Sequence, residues 1–314
     1  MMAIKHKLQY AVVLGTLLVV AMLLSLHLDL FLLFITLDRQ AVRVVTASAI
    51  SEPTVAHHPN SGPVSEALPW EADVNFQALS AEHGADIRMG AFAVTLPDHL
   101  PGEEFNFTRA AEIVAGYVLQ PNQVFSMNND IGPFDASRGF REGAIYIGGQ
   151  IGRGVGGGVC KMATTLYNVA ILSDLPILAR RNHSMLVPYV NPGQDATVSS
   201  GGLDLKFKND TGQPIVIWAD VVGPTLYVAF YGQRVPPTVT WHHEILQLQE
   251  RPVQRRLNSQ LAVDEERVVI PGSEGIVVRS WTILRYPDGR VVTRDLGVDW
   301  YRPMERVIEH GPRR

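Results

Sequence analysis

The chain has 314 residues, 46% of them hydrophobic, a formal net charge of −4 and a single cysteine. That length holds one good-sized core and a smaller module. The mildly acidic balance speaks against nucleic acid as a partner, and one cysteine excludes an intramolecular disulfide framework. No Cys/His cluster has metal-ligand spacing, and His57–His58 and His242–His243 read as solvated loop histidines, so no metal and no cofactor are expected.

In chain order, residues 1–40 differ from the rest. After Lys5 and Lys7, the apolar run from Ala11 to Leu26 continues past His27 and Asp29, long enough to span a bilayer. The lysines before it favour a cytoplasmic N-terminus, which predicts a single-pass plasma-membrane protein with its main domain extracytoplasmic. Ala47-Ser48-Ala49 offers the competing reading of a cleaved signal; the length of the apolar region favours an uncleaved anchor. Residues 41–69, rich in Ala, Ser, Pro and His, read as a flexible linker.

A folded domain is expected over residues 70–235. Phe92 and Val94 suggest a short strand. Ala110, Ile113, Val114, Tyr117 and Val118 recur at helical spacing behind an Asn106 or Thr108 cap, with an end near Gln120-Pro121. From Asn122 to Arg153, Gly, Asn and Asp dominate, and the segment reads as a functional loop with little regular structure.

Gly154 to Asp174 delivers the cysteine. Ala163, Leu166, Tyr167, Ala170 and Ile171 form one helical stripe, placing Cys160 at or just before the first turn. Unpaired N–H groups and the helix dipole favour an anion there, so the thiol tends towards a lowered pKa. Gly156, Gly157 and Gly158 leave no side chains over the sulfur and allow backbone angles closed to other residues. The run lacks the Gly-Lys-Ser/Thr ending of a phosphate-binding loop. A lone cysteine on a helical stripe is also read as a small buried hydrophobe, and the residues alone leave that open.

Beyond Pro176, His183 precedes an apolar run, Met185 to Val190, that reads as extended, so the histidine is expected at a strand edge. Asp195 follows a turn at Asn191-Pro192-Gly193. Leu203, Leu205 and Phe207 alternate with charged residues as in a half-buried strand, and Ile215 to Ala219 and Thr225 to Tyr231 complete a meander. A thiol at a helix start followed by an imidazole and a carboxylate is what cysteine acyl transfer requires. Against this, His183 also reads as a packed histidine, and Asp195 as a turn-stabilising carboxylate.

The ordered set Gly156-Gly157-Gly158-Val159-Cys160, Thr164 to Asn168, Arg181-Asn182-His183-Ser184, Tyr189-Val190, Pro192-Gly193, Asp195 to Val198 and Leu203 to Asn209 resembles the VanW domain family, as does the upstream Gln120 to Ser126 with Asn128. The resemblance runs from about residue 90 to 232. One residue departs from it: Lys161 stands where members usually have glutamine, and a lysine there is expected either to lower the thiol pKa further or to mark a divergent substrate site. What the resemblance implies is a membrane-anchored cell-wall enzyme. Some family members are L,D-transpeptidases that form 3–3 cross-links between peptidoglycan stem peptides through a thioester on the motif cysteine. On that basis Cys160 is the expected nucleophile, His183 the base and Asp195 its orienter. Gly157, Gly158 and the Cys160 N–H are expected at the oxyanion, and Lys161, Ser184 and Tyr189 at the substrate. The competing readings are a peptidase acting on the same stems and a non-catalytic wall-binding or accessory protein. Expected partners are peptidoglycan stems, the membrane through the N-terminal helix, and other cell-wall proteins.

After Gly232 the chain turns polar, with Gln247 to Arg256 readable as a connector. Two β-rich runs, Ile276 to Tyr286 and Arg290 to Leu296, flank a Pro287-Asp288-Gly289 hairpin turn. Residues 236–314 are therefore expected to form a small β module, similar to a G5 domain. The fold class expected for the whole is α+β, with the cysteine helix packed on an antiparallel sheet.

Overall fold

A computed structural model describes residues 54–55, 58–96, 99–147 and 150–312. The expected membrane anchor, residues 1–40, lies outside them. Among the described residues no helix is long and apolar enough to cross a membrane.

The architecture is mixed α+β, with mostly antiparallel sheets and few helices. Its centre is a five-stranded sheet in the order Ser61–Pro63, Ile87–Thr95, Thr225–Gly232, Ile215–Val222, Tyr117–Leu119. The hairpin between Ile215–Val222 and Thr225–Gly232 turns at Gly223, whose φ of 56° suits a residue without a Cβ. Both faces of the sheet are covered, and side chains alternate between them. Ile215, Ile217, Val228 and Phe230 enter the main core; Val216, Ala229 and Tyr231 enter a second core with Trp70 and Phe76. That second core is closed by α1, Val74–His83, which Asp73 caps by accepting hydrogen bonds from the Asn75 and Phe76 N–H groups. Within the stretch read as a linker, Ser61–Pro63 pairs with Ile87–Thr95, Leu68 is buried, and Arg88 donates to the Ser65 and Glu66 carbonyls.

Helix α2, Glu103–Val114, starts earlier and ends earlier than the periodicity predicts. Asn106 is not its cap. The fully buried Asn106 amide donates to the Arg141 and Gly157 carbonyls at 2.8 and 2.7 Å and accepts from Arg141 N–H at 2.8 Å, bonds across the fold that no local pattern announces. Gly116, at φ 81°, then turns the chain so that Tyr117–Leu119 pairs as a strand instead of extending the helix.

Helix α3, Val159–Leu172, carries the cysteine and packs across Ile87–Thr95 and Thr225–Gly232, with α2 beside it. Its predicted apolar stripe proves to be burial all round, from Lys161 through Ile171, the state of a helix enclosed by the core.

Four expectations need correction. Residues 122–153 are not an irregular loop. They hold the strand Val124–Ser126, a π-helical turn at Met127–Ile131 and the hairpin Glu142–Ile147/Gln150–Val155. The connector expected at 247–256 overlaps the end of a twelve-residue strand, Thr238–Gln249, and a further strand, Val253–Leu257. His242 and His243 lie in that long strand, with His242 stacked on Trp281 at 5.6 Å, so they are not loop histidines. Finally, His183 and the run after it are not a strand. The nearest one is Ile177–Ala179, and His183 sits in irregular chain whose backbone polar groups find side-chain partners in place of a ladder.

The predicted hairpin around Asp288-Gly289 forms, with its first arm at Gly275–Arg285 and a second arm, Val291–Tyr301, longer than expected. With Thr238–Gln249 and Thr54–Val55 these arms make a four-stranded sheet, and a three-stranded sheet of Val253–Leu257, Arg306–His310 and Glu266–Ile270 follows.

Candidate active site

The glycine run owes its composition to backbone crowding. Gly158 caps α3 at φ 103°, and a Cβ on it would lie 2.7 Å from both Cα and the carbonyl oxygen of Glu103. A Cβ on Gly157 would meet the Gly143 carbonyl carbon at 2.3 Å. The run thus wedges between the start of α2 and the hairpin at Gly143. Only a chain without side chains fits, and the fit brings Cys160 into the first turn of α3 at one wall of a cavity of about 390 Å³.

Cys160 is partly exposed in that cavity. The Val198 N–H donates to its sulfur at 3.4 Å, and the Thr197 hydroxyl lies 3.5 Å away. The His183 imidazole lines the same cavity and interacts electrostatically with the thiol. His183 is buried, and its Nδ1 lies 2.6 Å from Asp195 Oδ2, which also accepts the His183 backbone N–H at 2.6 Å. A carboxylate at Nδ1 fixes the tautomer with a proton there and leaves Nε2 to exchange a proton with sulfur. The structure therefore brings the three predicted residues Cys160, His183 and Asp195 together, with His183 hydrogen-bonded to Asp195 and lining the same cavity as Cys160.

The electrostatics follow from this arrangement. Burial pushes the Cys160 thiol up, but the hydrogen bond and charge of His183, with Thr197 and the Val198 amide, outweigh it and hold the thiol below its ordinary value. Burial works against a charged His183, yet Asp195 and Cys160 push its pKa up to about 9. Burial also opposes ionisation of Asp195; His183 and Arg180 reverse that and hold the carboxyl below its usual range. Both shifts run in the direction that favours a thiolate beside an imidazolium, the form in which a cysteine attacks a carbonyl carbon.

Of the expected oxyanion donors, the Gly157 N–H is taken by the Gly154 carbonyl at 3.3 Å, and the neighbouring Val159 and Lys161 N–H groups by Gly156 and Gly158. For the Gly158 and Cys160 N–H groups no turn or loop carbonyl accepts among the described residues, and they remain as candidates. Tyr189 is buried and lines the same cavity. Ser184 is exposed and lines a separate depression, with Arg181, Asn182 and Trp300, that shares His183 and Thr197 with the first. Lys161 also lines the cavity, but its ammonium is paired at 2.9 Å with Glu103, both side chains almost wholly buried. Its charge is matched by a carboxylate and is also coupled to Cys160, beside the His183, Thr197 and Val198 groups that lower the thiol.

Residues the sequence reasoning missed surround Asp195. Arg180 donates from Nη2 to Oδ1 at 3.1 Å and from Nε to the Asp195 carbonyl at 2.7 Å. The buried Tyr301 hydroxyl donates to Oδ1 at 2.5 Å and accepts the Gly193 N–H at 2.7 Å. Arg180 adjoins the motif that holds His183 and was open to suspicion as a buried cation; Tyr301 lies far along the chain and carries no local signal. Among the described residues no cluster of His, Cys, Asp and Glu is arranged to hold a metal.

Comparison with known proteins places this site. Residues 102–231 match the family described as VanW like protein. The chain is 33% identical over 153 residues to the uncharacterized protein YoaR of Bacillus subtilis (strain 168), covering 49% of this chain and 50% of that protein. It is 31% identical over 120 residues to the vancomycin B-type resistance protein VanW of Enterococcus faecalis (strain ATCC 700802 / V583), covering 36% and 43%. The chain thus spans half or less of the length of these relatives. Among solved structures, an IgA1 protease G5 domain is matched over 26% of this chain and all of that one at 20% identity, with a TM-score of 0.16, too low to assign a shared fold.

Proposed function

Taking as premise that residues 102–231 are a VanW-like domain, we propose that this chain is a cysteine acyltransferase of the cell wall, acting as an L,D-transpeptidase on peptidoglycan stem peptides. The observation that carries the proposal is the Cys160–His183–Asp195 grouping at the wall of a cavity, a constellation that a merely packed cysteine does not need.

In the proposed reaction the Cys160 thiolate attacks the carbonyl carbon of the L-centre residue of a tetrapeptide stem. The Gly158 and Cys160 N–H groups face the developing oxyanion. Collapse breaks the amide bond; the leaving D-alanine nitrogen takes its proton from the His183 imidazolium, and a thioester remains. The side-chain amine of a second stem then attacks the thioester, gives a proton to His183 and restores the thiolate. Asp195 keeps the imidazole in one tautomer throughout and stays ionised. Residues 1–40, read as an anchor, place the reaction on the outer face of the membrane, and residues 236–314, read as a G5-like extension, adjoin the wall.

The test is incubation of the full-length chain and its Cys160→Ala variant with a disaccharide-tetrapeptide, with products read by mass spectrometry. A cross-linked dimer with loss of D-alanine, from wild type alone, is expected. Free tripeptide makes the acceptor water and the protein a peptidase. Substrate retained by both proteins without conversion overturns the enzymatic reading in favour of a wall-binding protein.

A further inference from the structure

Tyr301 and its strand lie beyond residue 231, where the family match ends, yet they reach the centre of the site. From this geometry we infer that Tyr301, delivered by the C-terminal hairpin, is a positioning residue of the Cys160–His183–Asp195 site, and that the thiol is activated only while that hairpin is docked. The inference rests on the reading of Cys160 as the nucleophile.

The hairpin grips the site on two sides. At one, Asp299 accepts both hydrogen bonds of Arg180 Nη1 at 2.6 Å, the Arg302 N–H donates to the Ser184 carbonyl at 2.7 Å, and Asn182 Nδ2 donates to the Trp300 carbonyl at 3.0 Å. Gly193, whose N–H is held by Tyr301, runs so close to the strand Gly275–Arg285 that a Cβ would lie 2.1 Å from Ser280 Oγ. At the other side, Asp174, just past the end of α3, accepts from Tyr286 Oη at 2.8 Å and Arg294 Nη2 at 2.5 Å. One hairpin therefore holds both the helix that carries Cys160 and the loop that carries His183 and Asp195.

The chemical reason lies in the carboxylate. Asp195 is 1% exposed, so its oxygens depend on protein donors: among the described residues Oδ2 has His183, and Oδ1 has Arg180 and Tyr301. Removing a donor from a buried carboxylate raises its proton affinity. The proton shared with Nδ1 then moves towards Asp195, the positive charge beside the sulfur fades, and the thiolate loses its counter-ion. The charged and titratable groups facing this network are Arg180, Tyr301, Tyr167 and Asp299 around Asp195, and His183 with the Lys161–Glu103 pair around Cys160.

The experiment is the rate of iodoacetamide alkylation of the sole cysteine against pH, in the full-length chain and in Tyr301→Phe, which keeps the buried ring. The midpoint is expected to rise by about one pH unit, so that Tyr301→Phe reacts about tenfold more slowly below both midpoints and at the wild-type rate above them. A packing role alone changes the rate by one factor at every pH. Coincident profiles, or such a uniform change, overturn the inference and leave Cys160 as nucleophile untouched. A wild-type midpoint in the ordinary thiol range overturns both. If Tyr301→Phe gives no cooperative unfolding transition, Arg180→Lys removes donors from the same oxygen, and its unchanged midpoint is equally fatal.

Discussion

The buried pair Lys161–Glu103 invites a quantitative test, because its two charges lie beside Cys160 and face each other at 2.9 Å. At 2.9 Å and an effective dielectric constant of about 20, their attraction is about 6 kcal/mol. Most of it is offset by taking two ions out of water, so the pair as a whole contributes little. Breaking it is another matter. In Lys161→Met the Glu103 carboxylate keeps only the Leu100 N–H, at 2.9 Å, and this uncompensated charge is expected to cost about 3–5 kcal/mol. Glu103→Gln strands the ammonium between the Phe107 and Tyr189 rings at a similar cost. That second penalty shrinks at alkaline pH. Burial depresses the folded pKa of the lysine below its unfolded value, so the unfolded chain binds more protons and stability rises with pH between the two. The double variant Lys161→Met/Glu103→Gln retains an acceptor for Leu100 and no charge, and is expected within about 1 kcal/mol of wild type. Urea unfolding at pH 7 reads this as a midpoint loss of about 1–1.7 M in each single variant, taking a slope of about 3 kcal/mol/M, and a recovery in the double. A Lys161→Met cost below about 1 kcal/mol, or singles that simply add, refutes the view that the two charges compensate each other.

Gly158→Ala forces a Cβ onto the Glu103 backbone at φ 103° and is expected to cost more than about 3 kcal/mol in the same urea assay, with a loss below about 1 kcal/mol showing that the wedge gives way. The ion pair at the site also shapes stability against pH. A thiolate–imidazolium pair, with His183 raised to about 9 and Cys160 lowered, holds one proton where the unfolded site also holds one, so on that assignment stability is expected to be flat from about 6.5 to about 8.5 and to fall below about 6.5 as the unfolded histidine gains a proton. Cys160→Ala leaves only the raised imidazolium, whose stabilisation is complete below about 6.5 and fades as pH rises through its folded pKa. A plateau that survives in Cys160→Ala contradicts the thiolate–imidazolium assignment.

How much was legible beforehand depends on how far each interaction reaches. The helix of Cys160 showed in its 3.6-residue spacing, and both predicted hairpins showed in their turns, Gly223-Pro224 and Asp288-Gly289, because periodicity and turn chemistry are local. Gly156 to Gly158, Cys160, His183 and Asp195 stood out because their residue types suit one chemistry in one order along the chain. What local pattern misread was any segment stabilised from elsewhere. Met185 to Val190 is apolar enough for a strand, but no ladder partner reaches it beyond a bridge at Met185, so His183 sits in irregular chain.

By itself, then, the sequence determined an α+β domain built around a cysteine at a helix start, with a histidine and an aspartate following at motif spacing. Only the tertiary structure decided what those residues meet. It matched Lys161 with Glu103 in a buried pair beside Cys160. It made the glycines a wedge against Glu103 and Gly143 as well as an opening over the sulfur. It also brought Tyr301 to Asp195 across 106 positions of chain. Such contacts leave no periodicity behind, because a buried carboxylate asks for a donor at hydrogen-bond distance and is indifferent to where along the chain that donor comes from.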